Sequence, residues 1–277
     1  MRLITIFIIA VLVSGCGGAF HGAGGTHVAA TLYPVAYAAS QVGGPGLVLE
    51  NLTPPGVEPH DLEATPDAVK AIREAGRVLL LGEGFQPQLE AAAGKGSRVV
   101  YLLDTPGLDR RGVDPHVWLD PIRYALVVKR IAAALGRPDA AAPMVAKLHQ
   151  LDRAYRAGLR NCVRHDIVTS HKAFAYLGER YGLRQVAITG VTPEAEPRPQ
   201  DLKHVIDAVR STHATTVFFE TLVSPKLAET VARATGAKTA ILNPIEGLTA
   251  AEQQRGEDYF TVMRENLRAL REALGCR

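Results

Sequence analysis

The chain is poor in cysteine, in charge of one sign and in long apolar runs. Its 277 residues include three cysteines, and 31 Lys and Arg against 28 Asp and Glu leave a formal net charge of +3. The basic residues are scattered rather than blocked, which excludes the footprint of a nucleic-acid-binding protein. The apolar run at residues 3–13, interrupted by Thr5, is too short to span a bilayer as a helix. Familiar catalytic signatures are missing too. Gly94-Lys95-Gly96-Ser97 lacks the earlier glycine and the Lys-Ser/Thr adjacency of a phosphate loop, and Gly82-Glu83-Gly84 has no third glycine at the dinucleotide offset. There is no nucleophile elbow and no His-Glu-x-x-His pair.

What is present is a globular composition, 47% hydrophobic and 21% charged, in a length that suits two domains. Residues 1–16 stand apart. Arg2 followed by an apolar stretch is the start of an export signal. Its end, Val13-Ser14-Gly15-Cys16, resembles the lipobox of bacterial lipoproteins, in which Cys16 would carry lipid and become the mature N-terminus. Ordinary signal cleavage is the alternative. Gly-rich residues 17–26 then form a flexible tether. Export leaves Cys162 and Cys276 in a disulfide-permissive compartment, free to pair or to remain two thiols.

From residue 27 the pattern alternates strand and helix. Strands are predicted over 27–32, 47–49, 78–81 and 98–103, with helices over 34–42, 66–74 and 85–93 between them. Residues 122–135 read as an amphipathic helix, and 139–160 as a second long one without a strand partner. The alternation then resumes with strands over 166–169, 185–188, 215–219 and 239–242, helices between them, and a last helix over 255–274. The expected architecture is α/β: two open (β/α) lobes with mainly parallel sheets, residues 27–137 and 162–277, joined by a single long rigid helix, 138–161.

Three histidines follow predicted strands. His60 lies in the turn-rich Pro59-His60-Asp61-Leu62-Glu63-Ala64-Thr65-Pro66, His116 in Asp114-Pro115-His116-Val117-Trp118-Leu119-Asp120-Pro121, and His171 in Thr169-Ser170-His171-Lys172. Open α/β sheets bind ligands at the carboxyl ends of their strands. If the two carboxyl edges face each other, the three imidazoles converge. Three neutral imidazoles and a fourth ligand make a tetrahedral set suited to Zn²⁺, whereas manganese favours carboxylate oxygen. The remaining histidines, His21, His27, His149, His165, His204 and His213, lack such a context.

These segments, with Glu194-Ala195-Glu196-Pro197 and Phe218-Phe219-Glu220 downstream, resemble the metal-binding subunits of bacterial zinc and manganese ABC importers. The resemblance covers essentially the whole mature chain. It implies an exported, lipid-anchored or periplasmic solute-binding protein that delivers a metal ion to a membrane permease, acts as a monomer and is not an enzyme. It assigns His60, His116 and His171 as metal ligands. A histidine at the third position, where manganese-type relatives tend to carry Glu, points to zinc. The usual fourth ligand of the family is an Asp, and the matching position here is Asn243. Asn243, Glu246, Glu220 or a water are the alternatives for that place. An Asn there leaves the zinc dicationic, which predicts weaker binding than in an Asp-bearing relative. Asp61, Asp114 and Asp120 either orient the imidazoles or cap turns, and Trp118 is a core or cleft-wall residue. Residues 105–113 hold no histidine, so no metal-collecting loop is expected. The reading from another class is an exported zinc hydrolase using three histidines and a bound water.

Overall fold

A computed structural model describes residues 26–193 and 197–277. The signal segment with Cys16, the tether up to residue 25, His21 and Glu194-Ala195-Glu196 lie outside the described residues. The first lobe runs β1 (Thr26–Ala30), α1 (Tyr33–Gly43), β2 (Leu47–Asn51), α2 (Pro66–Glu74), β3 (Arg77–Leu80), α3 (Pro87–Ala93) and β4 (Val99–Tyr101). Two long helices follow, α4 (Pro121–Ala134) and, after a 3-10 turn at Pro138–Ala141, α5 (Ala142–Leu159). The second lobe runs β5 (Asp166–Thr169), α6 (Ala175–Tyr181), β6 (Arg184–Ala187), α7 (Pro199–Thr212), β7 (Thr216–Phe219), α8 (Lys226–Thr235) and β8 (Lys238–Ile241). The chain ends with α9 (Ala250–Gln254) and α10 (Tyr259–Leu274).

Each lobe is built on a parallel four-stranded sheet, and the two repeat one strand order, β2-β1-β3-β4 and β6-β5-β7-β8. In both, the chain steps from the first strand to one side and then returns to the other. That reversal creates the crevice at which such sheets bind ligands. Val78, Leu79 and Leu80 of β3 are buried to within 1%, as expected of a strand covered on both faces.

Helices cover both faces of each sheet. On the outer faces, Ile72 and Leu89 pack with Val78 and Leu80 in the first lobe, and Val205, Val209 and Val231 with Val168 and Val217 in the second. The inner faces have no such separation. Leu32, Val35, Val128, Ile131, Leu148, Tyr155, Met263 and Leu270, drawn from α1, α4, α5 and α10 and their approaches, belong to one continuous apolar core. Hydrogen bonds cross it. Tyr155 Oη donates to the Met263 carbonyl at 2.7 Å, Tyr259 Oη to the Trp118 carbonyl at 2.7 Å, and Tyr37 Oη to Asp258 at 3.1 Å. Ion pairs add to them on α6, where Arg180 meets Asp120, and Glu179 meets Arg111 at 2.8 Å and Arg123 at 2.9 Å.

The helix starts follow from capping. Thr65 accepts from the Ala68 N–H before Pro66 opens α2, and Asp120 accepts from the Ile122 N–H before Pro121 opens α4. The single last helix expected over 255–274 is corrected. Residues Ala250–Gln254 form a separate turn of helix, begun by a capping box between Thr249 and Glu252. Gly256, at φ +71°, takes the left-handed conformation that breaks the run, and Asp258 restarts it by capping α10. Cys162 and Cys276 form a disulfide across 114 residues, fastening the start of the second lobe to the chain end. Among the described residues no helix is long and apolar enough to cross a membrane.

Candidate metal centre

Each chemically active side chain sits in the segment that follows a strand. His60 lies in the loop between β2 and α2, where its backbone N–H donates to Glu58 at 2.8 Å. His116 lies past β4, at the start of the 3-10 turn Val117–Leu119. His171 follows β5, Glu220 follows β7, and Glu246 follows β8. Since β5 and β7 are neighbours at the point where the second sheet reverses, His171 and Glu220 emerge side by side.

The structure brings His60, His116 and His171 together, and Glu246 joins them. One nitrogen or oxygen of each lies within 4.8 Å of all the others. Glu246 Oε1 is 3.1 Å from His60 Nε2, 2.8 Å from His116 Nε2 and 3.5 Å from His171 Nε2. The two buried imidazoles approach Nε2 to Nε2 at 3.3 Å. His116 and His171 are fully buried and Glu246 nearly so, while the His60 side chain keeps 7% exposure. His60 therefore forms the outer wall, its ring edge-on to Phe85, and borders a cleft of about 300 Å³ that also touches Asp61, Gly82 and Thr192.

The other ring nitrogens face carboxylates. His116 Nδ1 is 2.7 Å from Asp114 Oδ1, and His171 Nδ1 is 2.7 Å from Glu220 Oε1. A carboxylate at Nδ1 holds the proton there and leaves Nε2 for the centre of the cluster. Burial opposes charge on His116, but Asp114 and Glu246 outweigh it and hold the imidazole above its ordinary value. The same balance, burial against Glu220 and Glu246, carries His171 up to about 10. Burial would raise Glu246; the three imidazoles outweigh it and keep its carboxyl well below the usual range. The cluster is a buried carboxylate facing His116 and His171, two imidazoles whose positive form it favours.

The position matched to the family's fourth ligand does not face the cluster. Asn243 Oδ1 accepts from the Ile245 N–H at 2.7 Å, and Nδ2 donates to Thr221 and Glu252, both at 3.1 Å. Glu246, three residues on, faces the imidazoles instead. Glu220 stands behind His171. Of the three aspartates, Asp114 supports His116, Asp120 caps α4 and pairs with Arg123 and Arg180, and Asp61 is exposed. Trp118 is cleft wall: its Nε1 donates to the Pro244 carbonyl at 2.7 Å, and its ring centre is 5.2 Å from that of His116. His27, His149, His165, His204 and His213 are all exposed.

Two matching α/β lobes that close loops from both sides over a nest of imidazoles and one carboxylate define a solute-binding protein of the metal-receptor class. The chain belongs to the family described as zinc-uptake complex component A, periplasmic, which it matches over residues 28–273. That is a family of solute-binding components of uptake systems and not of enzymes. The chain is 31% identical to the high-affinity zinc uptake system protein ZnuA of Bacillus subtilis, over 97% of either chain. It is 33% identical to the zinc-binding lipoprotein AdcA of Streptococcus pneumoniae, with 98% of this chain matched to 60% of that longer protein. The crystal structure of the Zn(II)-bound ZnuA-like domain of Streptococcus pneumoniae AdcA superposes with a TM-score of 0.76 at 34% identity, over 91% of this chain and 99% of the other.

Proposed function

We propose that this protein is an extracytoplasmic zinc receptor that captures one Zn²⁺ between its lobes and delivers it to the permease of an ABC importer. Nε2 of His60, His116 and His171 and Oε1 of Glu246 hold the ion. The observation that carries this is their convergence within 4.8 Å, on loops from both lobes, in a site sealed except at His60. Three imidazoles and one carboxylate suit tetrahedral zinc better than manganese. The carboxylate lowers the charge of the buried dication, which a neutral amide would not do. It also takes the fourth position, which catalytic zinc leaves to water. That favours a receptor over the hydrolase. The ion passes His60, the ligand that borders the cleft.

In this reading residues 27–137 and 162–277 are the lobes and 138–161 the connector. A lipid on Cys16 and the tether, which ends at residue 25 because Thr26 already belongs to β1, hold a monomer to the outer face of the cell membrane. The test is titration of the metal-stripped mature protein with zinc and with manganese, beside His60→Ala, His116→Ala and His171→Ala. One-to-one zinc binding, tighter than manganese and weakened in all three variants, is expected. Zinc binding untouched by the three substitutions, or a preference for manganese, would overturn the reading.

A further inference from the structure

Glu246 is aimed by a strained backbone. The preceding residue, Ile245, is fully buried and sits at φ +61°, a conformation that a β-branched side chain avoids. Such a conformation persists only where the surroundings over-determine it. Here they do. Asn243 Oδ1 accepts from the Ile245 N–H at 2.7 Å. Asn243 is gripped in turn by Asn266, whose Oδ1 accepts from the Asn243 N–H at 2.9 Å and whose Nδ2 donates to the Asn243 carbonyl at 2.7 Å. The Asn243 amide donates onward to Glu252 Oε1 at 3.1 Å, while Glu252 Oε2 accepts from the Thr249 N–H at 2.6 Å and its hydroxyl at 2.8 Å. Asn243, Asn266 and Glu252 are all at least 94% buried, in a network whose members each find partners.

We infer that Asn243, locked by Glu252 and Asn266, is the positioning residue that turns Ile245 left-handed and thereby presents Glu246 to the zinc. This rests on Glu246 being the fourth ligand. It gives the amide at this place a chemical reason. Asn243 must accept from Ile245 and donate to Glu252 at once. An aspartate accepts only, and it would set two carboxylates against each other. The substitution that brings this chain closer to an Asp-bearing relative therefore weakens zinc binding, the reverse of what the sequence alone predicts.

The polarity of the Asn243–Glu252 bond supplies the test. Zinc affinity, by competition with a chromophoric chelator, and the visible spectrum of the cobalt(II)-loaded protein are measured for the wild type, Asn243→Asp, Glu252→Gln, the double variant and Glu246→Gln. Asn243→Asp is expected to bind zinc about 10- to 100-fold more weakly, with a cobalt spectrum moved toward that of Glu246→Gln. In the Glu252→Gln background the glutamine amide donates to the new aspartate, so the same Asn243→Asp change is expected to tighten zinc binding and restore the spectrum. If Asn243→Asp alone does not fold, Glu252→Gln and the double variant still make this comparison. An effect of one sign in both backgrounds, or a single variant that binds zinc as the wild type does, overturns the inference. A cobalt spectrum unmoved by Glu246→Gln would sink instead the ligand set on which it rests.

Discussion

Glu246 Oε1 stands 2.8 Å from His116 Nε2, in a pocket where neither side chain reaches solvent. Because Asp114 faces the other nitrogen of the same ring at 2.7 Å, the metal-free imidazole has a carboxylate on each side, and both favour its bound proton. Zinc has to displace that proton. With His171 at about 10, binding near pH 7 is expected to release at least one proton, and zinc affinity to rise with pH. Calorimetry in buffers of different ionisation enthalpy measures the release, and a count near zero would contradict it. The stripped protein is linked in the opposite direction. A pKa raised from 6.5 to about 10 gives stability that is full below pH 6.5 and lost as pH climbs through 10. The thermal midpoint of the zinc-free form should fall across that window.

Glu246→Gln keeps the shape of the side chain and removes its charge. A buried dication then loses the carboxylate charge that offsets its own, and since even partners behind the ligands are worth about 10- to 100-fold, zinc affinity is expected to drop by more than about 100-fold. Competition titration reads this directly, and a loss below about tenfold would place Glu246 outside the coordination sphere.

Glu220→Gln and Asp114→Asn act at one remove. Each leaves the imidazole in place but weakens its hold on the Nδ1 proton, now set by contacts of 2.7 Å. Zinc affinity is expected to fall about 10- to 100-fold in either variant. Equal affinity would mean that packing alone, such as Trp118 against His116, orients the rings.

The disulfide is expected to matter for stability and not for zinc. It closes a loop of 114 residues at the end of α10, away from the carboxyl edges of the strands. The double substitution Cys162→Ser and Cys276→Ser should cost about 3 kcal/mol in denaturant unfolding while leaving zinc affinity unchanged. A large loss of affinity in the folded double variant would refute that separation.

The sheet framework and the convergence of the histidines were legible in the sequence because both are local in origin. A parallel strand reads as a short apolar run, and the loop that follows it carries the functional residue, as Val168-Thr169-Ser170-His171 does. Glu246 was harder to single out. Its direction depends on the left-handed Ile245, which depends on an asparagine whose side chain is held by Glu252 and whose backbone is held by Asn266, nine and 23 residues along the chain. No periodicity reports such a contact. The break before α10 did leave a trace. Thr249 and Glu252 have capping-box spacing and Gly256 is a stop, but the helical pattern of residues 255–274 masks both. The cysteine pairing stayed open because only the folded chain sets residue 162 beside residue 276.

The apolar core that runs unbroken from α1 through α5 to α10 bears on how the two states of this protein are told apart. Lobes that share one core would be expected to keep one silhouette with or without the ion. A membrane partner that accepts only the loaded form then has little gross outline to read. What it could read would lie at the rim: the set of the His60 loop, and its tie to the opposite lobe through the Gly56 N–H and the Leu248 carbonyl at 3.0 Å. Discrimination would rest on the stillness of a few loop residues, and a change there could make the empty receptor a competitor of the full one.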